Sequence, residues 1–218
     1  MKVAVVASGD LDPTDAVWLS DADLVIAADG GAESLDRLGR LPDVLIGDLD
    51  STDEALVGRL AAAGVRVERH PADKEASDTE LALRAATDAG ADDIVVLGAI
   101  GGDRLDHELA NLLLLADPAV SESRVRVVHS GNTVRVIRSN GSLALQGRIG
   151  DLVTLLPIGG EATGVSTDGL RWRLDAATLQ MGASRGLSNE IVATPASVTL
   201  GSGIVLVVER ARTRGERT

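Results

Sequence analysis

Residues 28–51 read ADGGAESLDRLGRLPDVLIGDLDS. One apolar run, LVIAAD (24–29), ends at Asp29, a second, VLIGD (44–48), ends at Asp48, and Asp50 follows two residues later. Continuous apolar runs of this length read as parallel strands buried on both faces, and open α/β sheets bind ligands beyond the carboxyl ends of such strands. Aspartates at those ends, next to glycines small enough to let a phosphate approach the backbone (Gly30, Gly31), point to a metal and polyphosphate site. Asp48 and Asp50 would face the same way if the backbone between them stays extended. An alternative for Asp50 or Ser51 is to cap the helix expected over 53–63.

The pattern repeats on both sides of this stretch. KVAVVA (2–7) reads as a first strand, with Ser8-Gly9-Asp10 as either a ligand-covering turn or an ordinary strand-to-loop turn. Glu33 to Gly39 reads as a short helix with Gly39 as its stop. VRVE (65–68), DIVVL (93–97) and Val125 to Val128 complete a set of six strands. Ser77 to Glu80 has the spacing of a capping box opening a helix that runs to about residue 89. Lys74 is a lone cation in an acidic loop at a strand end, the place for a group that neutralises phosphate. Gly101-Gly102 leads through Arg104 and Asp106 into a leucine-rich helix, and backbone N–H groups at such a start attract anions. The three histidines (70, 107, 129) lack zinc-type spacing, and neither G-x-x-x-x-G-K-S/T nor G-x-G-x-x-G occurs.

From Asn132 onward the grammar changes to short strand-like runs punctuated by Gly, Pro and Asn, which reads as an all-β sandwich. The expected organisation is therefore an α/β domain over residues 1–137, a mostly parallel six-stranded sheet flanked by helices, followed by a β-sandwich domain over 138–218. Trp172 is the only aromatic residue of the second half. By itself it reads as a core residue. Together with the amide and hydroxyl of Ser188-Asn189 it would also suit a cationic heteroaromatic ligand.

Composition narrows the function classes. A net charge of −12 argues against nucleic acid or an anionic membrane surface, but Mg²⁺ held by carboxylates would still admit a nucleotide. The absence of cysteine excludes disulfides and thiolate chemistry. Met1-Lys2 leads directly into VAVVAS, leaving no room for a signal peptide, and no apolar run is long enough to span a bilayer. A soluble cytoplasmic protein is expected. With no Phe or Tyr in a chain that is 44% hydrophobic, the core must be aliphatic.

Eight features in order resemble the thiamine pyrophosphokinase family: DGGA (29–32), PD-x-x-IGD-x-DS (42–51), DK-x-x-SD (73–78), GG-x-R-x-DH (101–107), Asn111, GD-x-V-x-LLP (150–157), DGL-x-W-x-L (168–174) and SNE (188–190). The resemblance spans nearly the whole chain. It implies an ATP-binding catalytic α/β domain followed by a thiamine-binding β domain, and transfer of pyrophosphate from ATP to thiamine with Mg²⁺, giving AMP and thiamine diphosphate. It also implies a homodimer with active sites at the subunit interface. Carried over by motif, Asp48, Asp50 and Asp78 are metal ligands. With Asp106, Lys74 and Arg104 they form the catalytic set. Asp29, Gly30, Gly31, Ser51, Gly101 and Gly102 lie on the nucleotide side, and Trp172, Ser188 and Asn189 form the thiamine pocket. Two departures from the family pattern are Glu75, where an aspartate is usual, and Asp103, an additional residue before Arg104. The rival readings of the same carboxylates are a Mg²⁺-dependent phosphohydrolase or nucleotidyl transferase with another acceptor, and a non-catalytic nucleotide sensor.

Overall fold

The computed structural model describes residues 1–50, 52–120 and 122–212. It divides into two compact units, Met1–Ser130 and Gly131–Thr218. The division precedes the expected 137/138 boundary because Asn132–Arg138 is a strand whose partner lies at the far end of the chain, Ser202–Arg210. Local sequence carries no mark of that pairing.

The first unit runs β1 (Lys2–Val6), α1 (Val17–Ser20), β2 (Leu24–Ala28), α2 (Gly31–Arg37), β3 (Val44–Gly47), α3 (Glu54–Ala62), β4 (Arg66–Arg69), α4 (Asp78–Asp88), β5 (Asp93–Leu97), α5 (Leu105–Leu113) and β6 (Arg124–His129). Its strands lie in the order β4-β3-β2-β1-β5-β6, and every neighbouring pair is parallel. The continuous apolar runs make the inner strands: β1, β2, β3 and β5 are buried almost throughout. The edge strand β4, sequence RVER, is not. Core side chains such as Leu35, Leu45, Leu60 and Leu97 are aliphatic and inaccessible to solvent or nearly so. Each Leu→Ala change there is worth about 2–5 kcal/mol.

Strand order reverses at β1: the chain builds outward through β2, β3 and β4, then returns to place β5 and β6 on the other side. The loops after β1 and β5 therefore leave in opposite senses and open a crevice at the carboxyl ends of those strands. The two loops touch there. Gly9 donates its N–H to the Gly98 carbonyl at 2.7 Å. A Cβ on Gly9 would sit 2.6 to 2.8 Å from three carbonyl oxygens, so no other residue fits.

The second unit is all-β, with β7 (Asn132–Arg138), β8 (Ser142–Ala144), β9 (Leu152–Asp168), β10 (Ala177–Leu179), β11 (Asn189–Glu190), β12 (Ser197–Thr199) and β13 (Ser202–Arg210). All its pairs are antiparallel. The pairing does not resolve into the two separate sheets expected of a sandwich. Instead the 17-residue β9 serves both ends: its first half pairs with β13, and Ser166–Asp168 pair with β12. The register slips between Ile158↔Ile204 and Thr163↔Ser202, a stretch in which Gly159 and Gly160 adopt positive φ. Counted over the described residues, the first unit holds six strands, all paired in parallel, and the second holds seven, all paired antiparallel. The second core is again aliphatic, around Val153, Leu155, Val165, Leu179 and Val205. Among the described residues, no helix is long and apolar enough to cross a membrane.

Candidate active site

The acidic residues lie where strands β2 and β3 end. Asp29 directly follows β2 and adopts a left-handed backbone, φ +46°. Its N–H donates to the Ile46 carbonyl at 2.8 Å, and its Oδ1 accepts from the Thr52 hydroxyl at 3.0 Å. Gly30 and Gly31 then turn the chain into α2. A Cβ on Gly31 would lie 2.0 Å from the Val6 carbonyl oxygen, whereas one on Gly30 would meet the Ser8 Cβ at 3.3 Å. Gly31→Ala is therefore expected to cost about 1–3 kcal/mol of stability and Gly30→Ala clearly less, an order that urea titration of the two variants checks.

The backbone from Asp48 to Asp50 is not extended. Leu49 is buried with φ +60°, a left-handed conformation costing a leucine about 1–3 kcal/mol. The turn brings the Asp50 N–H onto Asp48 Oδ1 at 3.3 Å instead of projecting two carboxylates in parallel. The cap of α3 is Asp53, whose side chain accepts from the Ala55 N–H at 2.9 Å, so Asp50 is not used as a cap. Ser51 lies outside the described residues.

Lys74 connects this turn to α4. Its Nζ lies 3.1 Å from Asp48 Oδ2 and 3.0 Å from Asp78 Oδ1, with only 13% of its side chain exposed. Asp78 is the first residue of α4, and the Ser77 hydroxyl caps that helix by accepting from the Glu80 N–H at 3.2 Å. The capping reading of Ser77 and the phosphate-site reading of its neighbours thus hold together: the cap fixes where Asp78 points. Asp78 Oδ1 is buried and within ion-pair distance of Lys74, but no donor is aligned on it in a hydrogen bond.

The charges are unequal. The Asp50 N–H first, and Lys74 second, hold the Asp48 carboxyl below its ordinary value. Asp50 is pushed up, chiefly by Asp48, with Asp29 and Asp78 adding to the repulsion. Burial pulls Lys74 down, but the nearby carboxylates of Asp78 and Asp48 outweigh that and leave it raised. Four carboxylates therefore share one field with a single ammonium among them, an environment that favours a further cation. Among the described residues, no three acidic or histidine side chains are gathered closely enough to hold a metal ion by themselves.

The crevice between the β1 and β5 loops holds the second group. A recess of about 120 Å³ is lined in part by Ser8, Gly9, Gly101, Gly102, Arg104 and Asn111. Glu108 accepts the Gly101 N–H at 3.1 Å, and Asn111 donates to the Ala99 carbonyl at 3.0 Å. These two residues shape the glycine turn from within α5. Glu108 escaped the motif reading, although it directly follows His107. Thr52 escaped it too. Arg104 and Asp106 pair bidentately, at 2.9 and 2.7 Å, on the exposed rim, and the guanidinium holds the Asp106 carboxyl well below the usual range.

In the second unit Trp172 is no core residue: it is 58% exposed. The Arg171 guanidinium stands 5.8 Å from its ring centre and reaches Glu190 at 3.1 Å. Asn189 is buried and bonds the Trp172 backbone with both ends of its side chain. Ser188 adopts φ +56° and donates its N–H to the Thr154 hydroxyl at 3.0 Å. Of the three residues expected on the thiamine side, Trp172 and Asn189 are thus bonded to each other, and Ser188 precedes Asn189 at the start of β11.

A parallel α/β unit with acidic strand ends, followed in one chain by an all-β unit presenting an exposed tryptophan, defines a class of two-part enzyme. The thiamin pyrophosphokinase catalytic-domain model matches residues 16–128, and the thiamin pyrophosphokinase vitamin B1 binding-domain model matches residues 135–205. The chain belongs to the thiamin pyrophosphokinase family. It is 24% identical to a Bacillus subtilis thiamine pyrophosphokinase over 208 residues, covering 94% of this chain and 97% of that one. With thiamine pyrophosphokinase 1 of Oryza sativa it shares 27% over 230 residues, covering 94% and 86%. Its fold is that of the Bacillus subtilis enzyme (TM-score 0.85, 23% identity, 98% and 100% covered) and of the Candida albicans enzyme (TM-score 0.82, 15% identity, 97% and 89% covered).

Proposed function

We propose that this protein transfers the pyrophosphoryl group of ATP to the primary hydroxyl of thiamine, releasing AMP and thiamine diphosphate. The observation that carries the reading is the field of Asp29, Asp48, Asp50 and Asp78 around one lysine, at the strand ends of an α/β unit matched by the family's catalytic-domain model. The hydroxyl oxygen forms a bond to the β-phosphorus, the bond from that phosphorus to the α–β bridging oxygen breaks, and AMP leaves with the oxygen. The hydroxyl proton is lost as the new bond forms. Such transfers need in-line positioning and charge neutralisation more than covalent chemistry.

The donor set fits Mg²⁺. It consists of hard oxygens with an excess of negative charge and a buried Asp78 oxygen lacking an aligned donor. The lack of a ready-made three-ligand cage fits as well, because Mg²⁺ is commonly held by one or two carboxylates plus substrate phosphates. Asp48, Asp50 and Asp78 would hold the ion, which would offset charge on the bridging phosphates. Lys74 supplies a positive point held by its two aspartates, and Arg104 an exposed one on the rim of the glycine recess. Gly30, Gly31, Gly101 and Gly102 present backbone to the nucleotide. The second unit binds thiamine on the Trp172 face.

We also propose a homodimer with its active sites at the subunit interface, in the cytoplasm where ATP is at hand. The supporting observation is the stripe Leu105, Leu109 and Leu113, spaced four apart on α5 and each more than half exposed. Leu109→Glu is expected to yield a monomer of intact secondary structure with little activity. A dimeric Leu109→Glu protein in light scattering would move the interface elsewhere.

Incubation with ATP, Mg²⁺ and thiamine, with products resolved by mass, tests the reaction. AMP together with thiamine diphosphate is the expected pair. ADP with thiamine monophosphate would make the protein a simple kinase, and ATP binding without a thiamine product would favour the sensor reading.

A further inference from the structure

The segment that carries Trp172 is laced to the segment that carries Asn189. Leu170 bridges Ile191, and the Arg171 N–H donates to the Glu190 carbonyl at 2.9 Å. At Trp172 this main-chain pairing stops, and the Asn189 side chain continues it. Its Oδ1 accepts the Trp172 N–H at 3.0 Å, and its Nδ2 donates to the Trp172 carbonyl at 2.8 Å. A carboxamide offers the same donor and acceptor as a peptide group, so Asn189 acts here as a substitute strand partner. Oδ1 also accepts the Glu190 N–H at 2.9 Å. Both acceptor positions of the oxygen are thereby occupied, and only one N–H of the amide lies outside these three bonds. The residue is 7% exposed, whereas the indole it holds is 58% exposed.

We propose that Asn189 is a positioning residue that acts on thiamine through Trp172, by clamping the tryptophan backbone so that an exposed ring presents one fixed face. The inference rests on the reading of Trp172 as the thiamine platform. It departs from the expectation that Asn189 lines the thiamine pocket directly, beside Trp172 and Ser188. An exposed aromatic ring has few neighbours to hold its direction, so its backbone must do so. The Arg171–Glu190 ion pair, with the guanidinium over the ring, braces the same residue from its side. Binding to an oriented ring avoids the cost of ordering it.

The test uses the full-length protein with Trp18→Phe, which leaves Trp172 as the only indole. Asn189→Ala in this background is expected to lower the fluorescence anisotropy of Trp172 without any ligand, and to raise the thiamine KM about tenfold while the ATP KM stays within about twofold. Asn189→Asp sets an acceptor-only carboxylate oxygen against the Trp172 carbonyl, so it should break the clamp as Asn189→Ala does. In a Trp172→Ala background, Asn189→Ala should add little to the thiamine KM, because its effect runs through the ring. Unchanged anisotropy, or a full additional loss in the Trp172→Ala background, would overturn the proposal in favour of a direct contact. Should Asn189→Ala not fold, Asn189→Asp carries the same comparisons. The ligand-free anisotropy reads the clamp even if thiamine is not the acceptor, so its failure is distinguishable from failure of the proposed reaction.

Discussion

Asp48→Asn and Asp50→Asn are each expected to lower turnover on the order of 10²–10³-fold, the scale on which lost charge stabilisation acts in a preorganised site. Their effects on stability should have opposite signs. Asp48 is held below its ordinary value by the Asp50 N–H and by Lys74. Its ionised form is therefore the stabilising one, a contribution present above the unfolded-state value and lost as pH falls through the lowered one. Asp48→Asn should destabilise the fold at neutral pH. Asp50 is raised first by a side-chain hydrogen bond with Asp48 and then by the like charge of Asp48, with Asp29 and Asp78 adding to the repulsion. The folded state binds its proton more tightly than the unfolded state does, so stability is greatest below the unfolded value and declines as pH rises through the raised one. At neutral pH Asp50→Asn removes a repulsion, and the variant should be no less stable than the parent while nearly inactive. Steady-state kinetics beside thermal melts check both halves. Near-normal turnover in both variants would sink the assignment of these carboxylates to the metal and phosphate site.

Trp172→Ala is expected to raise the KM for thiamine and leave that for ATP nearly unchanged. A stacked or cation–π contact of about 0.5–2 kcal/mol corresponds to roughly a 2- to 30-fold change. A buried tryptophan truncated to alanine would instead cost about 3–5 kcal/mol of stability. Because the ring is 58% exposed, the melting temperature should hardly move. Equal effects on both KM values, or a large loss of stability, would return Trp172 to a packing role.

Much of this was open to inspection in the chain itself. Apolar runs such as LVIAA and VLIG become inner strands because burial on both faces needs no alternation, and that is a local property. Ser77 and Glu80 show their cap through spacing alone. The aspartates at 29, 48 and 78 fall at element boundaries for the same reason: strands and helices end where the pattern ends. The continuity of β9 was less visible, because two short runs with glycines between them, 152–158 and 164–168, look like separate strands when they form one strand with a slipped register.

What local pattern determined, then, is the set of buried strands, the acidic residues at their ends, the change of grammar near residue 132 and the aliphatic core imposed by a chain without Phe or Tyr. Tertiary structure decided the rest. It chose Asp53 over Asp50 as the cap of α3, turned Leu49 left-handed, and set Lys74 between two aspartates, one of them 26 positions away. It also exposed Trp172 and bound it to an amide 17 positions distant. The placements of Lys74 and Trp172 rest on bonds between segments remote in sequence, whose meeting depends on sheet order and register and leaves no periodic trace in the residues themselves.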